Sequence, residues 1–432
     1  MIWKIIYNFL LIQLGRIYYY EQIIFNEKVY TSYKLRQDTF KELVNIRKNC
    51  GVNKKIILIH SASVGEFEQA RPVISLIKEK FGDDYAIVCT FYSPSGYYFA
   101  KKLNDVKISG IAMLPLDTYP RMYKFFKILK PSMIFFMRYD LWANMVWRAA
   151  KNNVKMYILN GTVRETSLRG SKMTQSFFRS FYKYIDKVFV ISENDKNRYA
   201  KIVDENKIII TGDSRYDIVF EKAQTAKFDE KIFAVFADKK NNFRIFIAGS
   251  TYIDEDKILL AAVKKLKEKI SNFKYIVVPH EIAPPRINEL INFCKEHNLT
   301  YVCETDNPSE KDYLEKDVII YNKIGALYKI YKLSDISFIG GSFHGSIHNI
   351  MEPAVYEKFI VFGPTYRNAY EAQLFLQNNA AECFINSEEL VKIIEDYFLN
   401  ENSKYKKYPK KAKEIVSQNL GCAKKIFENI FC

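Results

Sequence analysis

The sequence predicts an α/β fold built from two doubly wound parallel sheets, and three observations carry that prediction. Short apolar, β-rich runs alternate with longer segments of helical spacing along most of the chain. The alternation breaks once, at the polar stretch 221–242, and then restarts. The length of 432 residues suits two domains of about 150–200 residues better than one. In the first half the strand-like runs are 55–60, 86–90, 111–114, 133–137, 156–159, 188–191 and 208–210. Segments 67–80 and 121–129 between them have amphipathic helical spacing. In the second half the runs are 244–248, 275–279, 318–321, 336–339 and 359–362. Two such halves imply two Rossmann-like domains facing a cleft, with ligands collected at the carboxyl ends of the strands. The predicted organisation is an N-terminal helix (1–22), a first αβ domain (23–220), a linker (221–242), a second αβ domain (243–402) and a lysine-rich helical tail (403–432).

Composition bounds the function. With 65 Lys+Arg against 49 Asp+Glu the formal charge is +16, which asks for an anionic partner: nucleic acid, a phosphorylated metabolite or an acidic membrane. A content of 48% hydrophobic and 26% charged residues is that of a globular chain, not a disordered or collagen-like one. The seven cysteines are scattered, odd in number and without a CxxC, which points to a reducing, cytosol-facing compartment and no structural zinc. The lysines are scattered too, and no nucleic-acid-binding motif is present, so nucleic acid is not an expected partner.

The first twenty residues, MIWKIIYNFLLIQLGRIYYY, join an apolar run to an aromatic end. The run is short of the ~20 apolar residues that span a bilayer, and it lacks a secretory cleavage site. A helix here places Trp3, Tyr18, Tyr19 and Tyr20 at an interface, with Lys4 and Arg16 free to meet anionic headgroups. The alternative is a buried first helix.

Four loops follow predicted strands. After IILIH comes Ser61-Ala62-Ser63-Val64-Gly65-Glu66, whose small residues permit a tight turn into a helix. Glu66 at that mouth can act as a general base, although Ser63-x-x-Glu66 is equally a capping box. His60 is either part of the site or a satisfied strand-end histidine. After MIFFM come Arg138, Tyr139 and Asp140, a ligand contact or a surface ion pair. After IIIT, Arg215 in Gly212-Asp213-Ser214-Arg215 can fork onto a phosphate or carboxylate. The richest loop follows ISFIGG: Ser342 to Asn349, then Ile350-Met351-Glu352-Pro353. Its glycines and serines expose backbone donors suited to a phosphate. Glu352, four residues after His348, is expected on the same helix face, positioned for a ribose. His348 and Glu352 lack the order and third ligand of a metal site. Pro279-His280-Glu281 and Ile324-Gly325-Ala326 border the same predicted rim.

In order along the chain, HSASVGEFEQARPVISLIKEKF, TFYSPSGYYFAKK, LPLDTYPRMYKFFKILKPSMIFF, GTVRETSLRG, GGSFHGSIHNIMEPA and VFGPTYRN resemble the 3-deoxy-D-manno-octulosonic acid (Kdo) transferases of lipopolysaccharide synthesis. The resemblance covers nearly the whole chain. It implies a GT-B glycosyltransferase with an acceptor-binding N-terminal domain, a CMP-sugar-binding C-terminal domain and a membrane-associated first helix. It implies transfer of Kdo from CMP-Kdo to the lipid A precursor (lipid IVA) at the cytoplasmic face of the cell inner membrane, with no cofactor and no catalytic metal. Carried across by position, Glu66 of the SVGE motif, with Ser63 and Gly65 beside it, is the catalytic base. Arg215, where the family commonly has lysine, stabilises charge on the departing CMP or the donor carboxylate. His280, Glu281, Ile324, Gly325, Ala326, His348, Asn349, Ile350, Met351 and Glu352 match segments that hold CMP.

The chain departs from the family at Arg138-Tyr139-Asp140-Leu141-Trp142-Ala143-Asn144, where many members read Glu-x-Glu-Leu-Trp-Pro-Asn. Arg138 therefore occupies the position of a glutamate often given a transition-state role. The cytidine segment reads Pro-His-Glu in place of the frequent Pro-Arg-His. The competing readings are another GT-B transferase or a nucleotide-sugar epimerase with a different donor, and a non-catalytic basic membrane- or nucleic-acid-binding protein.

Overall fold

Seven apolar runs in the first half of the chain form seven parallel strands: β1 (Lys55–Ser61), β2 (Tyr85–Phe91), β3 (Gly110–Met113), β4 (Met133–Met137), β5 (Lys155–Gly161), β6 (Lys187–Val190) and β7 (Ile208–Ile210). Their order in the sheet is β3-β2-β1-β4-β5-β6-β7, the doubly wound arrangement expected from the alternation. The computed structural model describes residues 2–51, 53–163, 167–237, 243–367 and 369–432. Part of the predicted linker (238–242), the Arg-Glu-Thr of GTVRETS (164–166) and the last residue of VFGPTYRN (368) lie outside the described residues.

The chain divides into two compact units, residues 1–218 with 421–432, and residues 219–420. In the first unit β1 is central, with Ile57 registered against Ile87 of β2 and Met133 of β4. A strand covered on both faces reads as a continuous apolar run, and β1 buries every residue after Lys55. Alternate side chains serve opposite cores. Ile56 and Leu58 join Phe125, Phe126, Met145 and Val146, whereas Ile57 and Ile59 join Phe67, Ile74 and Ile77 from the helix Val64–Phe81. The second core is completed by the last helix, Cys422–Phe431, through Ile426 and Phe427. Asp217 fixes that helix by accepting the backbone N–H groups of Gly421 (2.6 Å) and Ala423 (2.8 Å).

The second unit repeats the plan with β8 (Arg244–Thr251), β9 (Phe273–Pro279), β10 (Tyr301–Cys303), β11 (Val318–Ile320), β12 (Ile336–Ile339), β13 (Phe359–Phe362) and β14 (Ala381–Cys383). The order is β10-β11-β9-β8-β12-β13-β14. The sequence reading omits β10 and β14, three-residue strands at the two sheet edges that are too short to show periodicity. The predicted tail is shared between the units. Tyr408–Gln418 is helical in the second, where Tyr405 and Tyr408 pack on Phe359, and Cys422–Phe431 returns to the first.

The N-terminal segment is continuously helical from Ile2 to Phe25, through Ile2–Ile6, a π-helical turn Tyr7–Leu11 and Ile12–Phe25. One side is attached to the first unit. Trp3 donates to Ser176 Oγ (3.0 Å), Tyr7 donates to Asp117 (2.8 Å), and Asn8 donates to Asn144 Oδ1 (3.0 Å). Asp117 also accepts the N–H groups of Asn144 and Met145, so one buried carboxylate holds the start of the helix Ala143–Lys151 and the N-terminal helix together. The other side exposes Ile2, Ile5, Phe9, Leu10, Leu14, Ile17, Ile24 and Phe25. Among the described residues no helix is long and apolar enough to cross a membrane. Tyr7→Phe is expected to remove one bond to Asp117 at a cost of about 1 kcal/mol. Hydrogen exchange should then speed up in residues 2–25 and stay unchanged in β1 and β4.

Candidate active site

In the first unit, polar groups gather beyond the carboxyl ends of β1, β4, β5 and β7. His60, fully buried at the end of β1, bonds through Nε2 to Asp140 Oδ2 (3.0 Å) and through Nδ1 to Thr90 Oγ1 (3.1 Å). Thus His60 is satisfied on both nitrogens and at the same time positions Asp140. The Trp142 indole N–H also reaches Asp140 Oδ2 (3.4 Å), and its ring stacks on Tyr92 at 5.1 Å.

Glu66 is 5% exposed, on the first turn of the helix Val64–Phe81. The expected capping box does not form: Ser63 is the N-cap residue, but its side chain makes no cap bond. Instead Glu66 Oε2 reaches one residue further back and accepts the Ala62 N–H at 2.6 Å. Burial raises the Glu66 pKa above the usual carboxylate value. The Ala62 N–H pulls it down, the charge of Asp140 pushes it up, and Arg138 and His60 oppose that push. Ser63 and Gly65 beside it are exposed.

Arg138 directly follows β4 with φ 59°, a left-handed conformation that is costly for a residue with a Cβ. Its N–H donates to the Leu159 carbonyl (2.8 Å) and its carbonyl accepts from the Tyr199 hydroxyl (2.9 Å), which hold the bend. Arg215 starts the helix Arg215–Thr225 and grips Asp213, with Nη2 and Nε at 2.6 and 2.8 Å from Oδ2. Burial works against the Asp213 carboxylate, but Arg215, aided by Arg138, outweighs it and holds the pKa below the usual range. Arg138, Asp213 and Arg215 thus form one charge group of net positive sign.

In the second unit the loop after β12 closes on itself: Gly345 and Ser346 both donate to the Gly341 carbonyl, and His348 N–H donates to the Gly340 carbonyl. A Cβ on Gly340 collides with the Ser250 carbonyl, and one on Gly341 with the Ser346 carbonyl, so the loop requires glycine at both positions. Glu255, fully buried on the helix Ile253–Lys269, accepts N–H groups from Tyr252, Gly341 and Phe343, each at 3.0 Å. Tyr252 stacks on His280 (4.8 Å) and His344 (4.4 Å), and the His348 ring packs tilted against His280 (4.8 Å). Burial, with the charge of His280, lowers His348 to about 4, leaving it neutral at neutral pH.

His348 and Glu352 do not share a helix face. The helix Met351–Ala354 begins after His348, which lies in the closed loop. Asn349 instead links the two segments, accepting the Met351 N–H (3.1 Å) and donating to Glu352 (3.3 Å). Ile350 and Met351 are wholly buried, so only their backbone is placed to meet a ligand. Ile324 and Gly325 lie on an exposed turn after β11, with Ala326 buried, and Glu281 is exposed beside His280. The sequence reading does not assign site roles to Glu255, Tyr252, His344 and Asp213. Glu255, Tyr252 and His344 owe their roles to partners about 90 residues away, beyond what a local pattern carries, whereas the Asp213–Arg215 pair is a two-residue spacing that the sequence could have shown. Asp140 was visible only as half of an Arg–Asp cluster, while its partner is His60.

Residues 35–218 match a family model described as 3-deoxy-D-manno-octulosonic-acid transferase (kdotransferase). The chain is 28% identical over 369 residues to the 3-deoxy-D-manno-octulosonic acid transferase of Rickettsia felis, covering 85% of this chain and 76% of that one. It is 24% identical over 406 residues to the enzyme of the same name from Chlamydia trachomatis, covering 93% and 90%. The crystal structure of a glycosyltransferase from Rickettsia africae superposes with a TM-score of 0.58 at 16% identity, over 87% of this chain and 97% of that one. That likeness concerns the fold, two parallel seven-stranded sheets of GT-B type. With the SVGE glutamate at the carboxyl end of β1, residues 35–218 thus match the 3-deoxy-D-manno-octulosonic-acid transferase model, and the chain is similar over most of its length to proteins of that name.

Proposed function

We propose that this protein transfers Kdo from CMP-Kdo to the lipid A precursor, with Glu66 as general base. The observation that carries the proposal is Glu66 itself: a buried carboxylate of raised pKa, on the family's SVGE motif, beside Arg138 and Asp140. A base must be ionised and still hold a proton well, and a raised carboxylate pKa serves the second need. Glu66 removes the proton of the acceptor hydroxyl as that oxygen attacks the anomeric carbon of Kdo. The bond from that carbon to the CMP phosphate breaks, and CMP leaves with the electron pair. The Arg138–Asp213–Arg215 group meets the negative charge of the donor carboxylate or the departing phosphate. In the second unit, the backbone N–H groups of Asn349 and Ile350, with His280, Glu281 and residues 324–326, bind CMP beside Met351, and Glu352 takes its ribose.

A lipid acceptor is supported by a cavity of about 190 Å³ lined by Ile12, Arg16, Tyr19, Tyr92, Leu114 and Trp142. It lies between the N-terminal helix and the Trp142–Asp140 pair, joining an apolar wall to a cation near the proposed base. The exposed apolar side of residues 2–25 lies on the inner membrane at its cytoplasmic face, and the +16 charge favours that anionic surface. A GT-B transferase or nucleotide-sugar epimerase with another donor is the alternative. It is tested by incubating purified protein with lipid IVA and freshly generated CMP-Kdo and reading the product mass. Addition of one or more Kdo units is expected. No addition, with a known Kdo transferase active in the same tube, rejects the reading.

Glu66→Gln should lower kcat by about 10²–10⁴ while CMP-Kdo binding survives. The acid limb of the rate profile should lie above the ordinary glutamate value of about 4.3, because the base works only above its own raised pKa. Asp140→Asn, which removes a charge that raises this pKa, should move the limb to lower pH, and Arg138→Gln should move it to higher pH. Phe9→Ser/Ile17→Ser should weaken flotation with anionic vesicles by more than about tenfold, since each side chain withdraws up to ~1.5–3 kcal/mol of apolar burial.

A further inference from the structure

The amino ends of β4 and β5 carry a second basic site, at the opposite edge of the sheet from Glu66 and Arg138. A cavity of about 410 Å³ opens there, lined by Tyr123, Lys127, Lys130, Arg148, Asn152 and Val154 among others. Lys127 and Lys130 come from the end of the helix Tyr119–Leu129, and Arg148 from the helix Ala143–Lys151. Lys130 precedes β4 and Val154 precedes β5, so the five residues of β4, about 16 Å of strand, separate this cavity from Arg138.

Three cations share the cavity with no carboxylate. Among the described residues none of Lys127, Lys130 and Arg148 has an acidic partner within 4.0 Å, whereas Lys101 and Lys155 of the same unit pair with Glu42 and Asp186. Two helix C-termini meet here and favour positive charge, but each supplies only about half an elementary charge. About two of the three positive charges remain uncompensated. Arg148 is the telling member. It is 7% exposed, its guanidinium lies between the rings of Tyr119 (4.9 Å) and Tyr123 (4.8 Å), and Nη2 is buried with no hydrogen-bond partner. Stacking fixes the plane of the fork while leaving its donors unspent, which is the preorganised state for an oxyanion.

We propose that this cavity binds a phosphate group, with Arg148 as the ordered donor and Lys127 and Lys130 as flexible partners. The volume exceeds that of a bare phosphate and leaves room for a small substituent such as a glycerol backbone. The same helix that carries Arg148 also holds the N-terminal helix, through Asn144 and through Trp147, whose ring lies 5.5 Å from Lys4 Nζ. A phosphate monoester on a lipid headgroup and a soluble phosphate have the same recognition chemistry, and the experiment separates them. The site is independent of the transferase reading.

Full-length protein is titrated with inorganic phosphate by calorimetry and, separately, floated with phosphatidylcholine vesicles with and without phosphatidic acid. Lys127→Ser/Lys130→Ser changes only exposed residues and keeps the test open if Arg148→Gln lowers the melting temperature. The expected result is that at least one ligand binds and that the double variant weakens it by at least about tenfold. Loss of phosphate binding identifies a soluble phosphate site, and loss of phosphatidic acid-dependent flotation a headgroup site. The proposal is overturned if neither ligand binds, if the double variant binds as wild type does, or if the charge-matched Lys410→Ser/Lys411→Ser variant weakens binding equally.

Discussion

Parallel sheets covered on both faces put their loops at the strand ends, and there the backbone N–H groups need acceptors that the ladder no longer supplies. In this protein carboxylates provide them, three buried (Asp117, Glu66, Glu255) and one half-buried (Asp217). Asp117 takes the first N–H groups of the helix Ala143–Lys151, and Asp217 takes those of the last helix. Glu255 takes three around the glycine loop, and Glu66 takes the one at Ala62. Each bond repays part of the desolvation of a buried acid, and each fixes a loop that would otherwise be free. Burial raises the pKa of all four acids, and Glu66 has only the Ala62 N–H as a backbone donor to offset it.

The charges around Glu66 are arranged in opposing pairs. Asp140 raises its proton affinity and is itself held by His60, while Arg138 lowers it and is held in a left-handed bend by Leu159 and Tyr199. Arg138 adds a cation near Asp213, which already grips Arg215. The two arginines and one aspartate therefore act together, and removing Arg215 leaves a buried carboxylate with less compensation as well as a lost donor. A stability measurement must accompany any rate measured for that variant.

Much of this was legible in the sequence. The β1 run could be read because burial on both faces demands unbroken apolar residues, whereas the local pattern left Glu66 between base and helix cap and only the resemblance of its SVGE block singled it out. The three-residue edge strands β10 and β14 could not, since they have no period to detect and, unlike the three isoleucines of β7, hold at most one β-branched residue. The helix placement of His348 failed because the loop closes through Gly340 and Gly341, and helix begins only at Met351. Glu255 stands between Asp254 and Asp256 with nothing local to distinguish it, and only the fold brings the glycine loop onto it. Comparable tertiary information decides His60, which pairs with Asp140 eighty residues away.

The path of the chain through the two units has a consequence for how the protein is made. The helix Cys422–Phe431 closes a core face of the first unit, yet it is synthesised only after all of residues 219–420. Domains generally fold in order of synthesis. Here the first sheet emerges early with Phe81, Tyr85 and Phe135 still lacking Phe431, against which they finally pack. The nascent first unit must therefore wait with an apolar surface uncovered while the second is completed, a period in which a chaperone or the membrane surface is the natural cover.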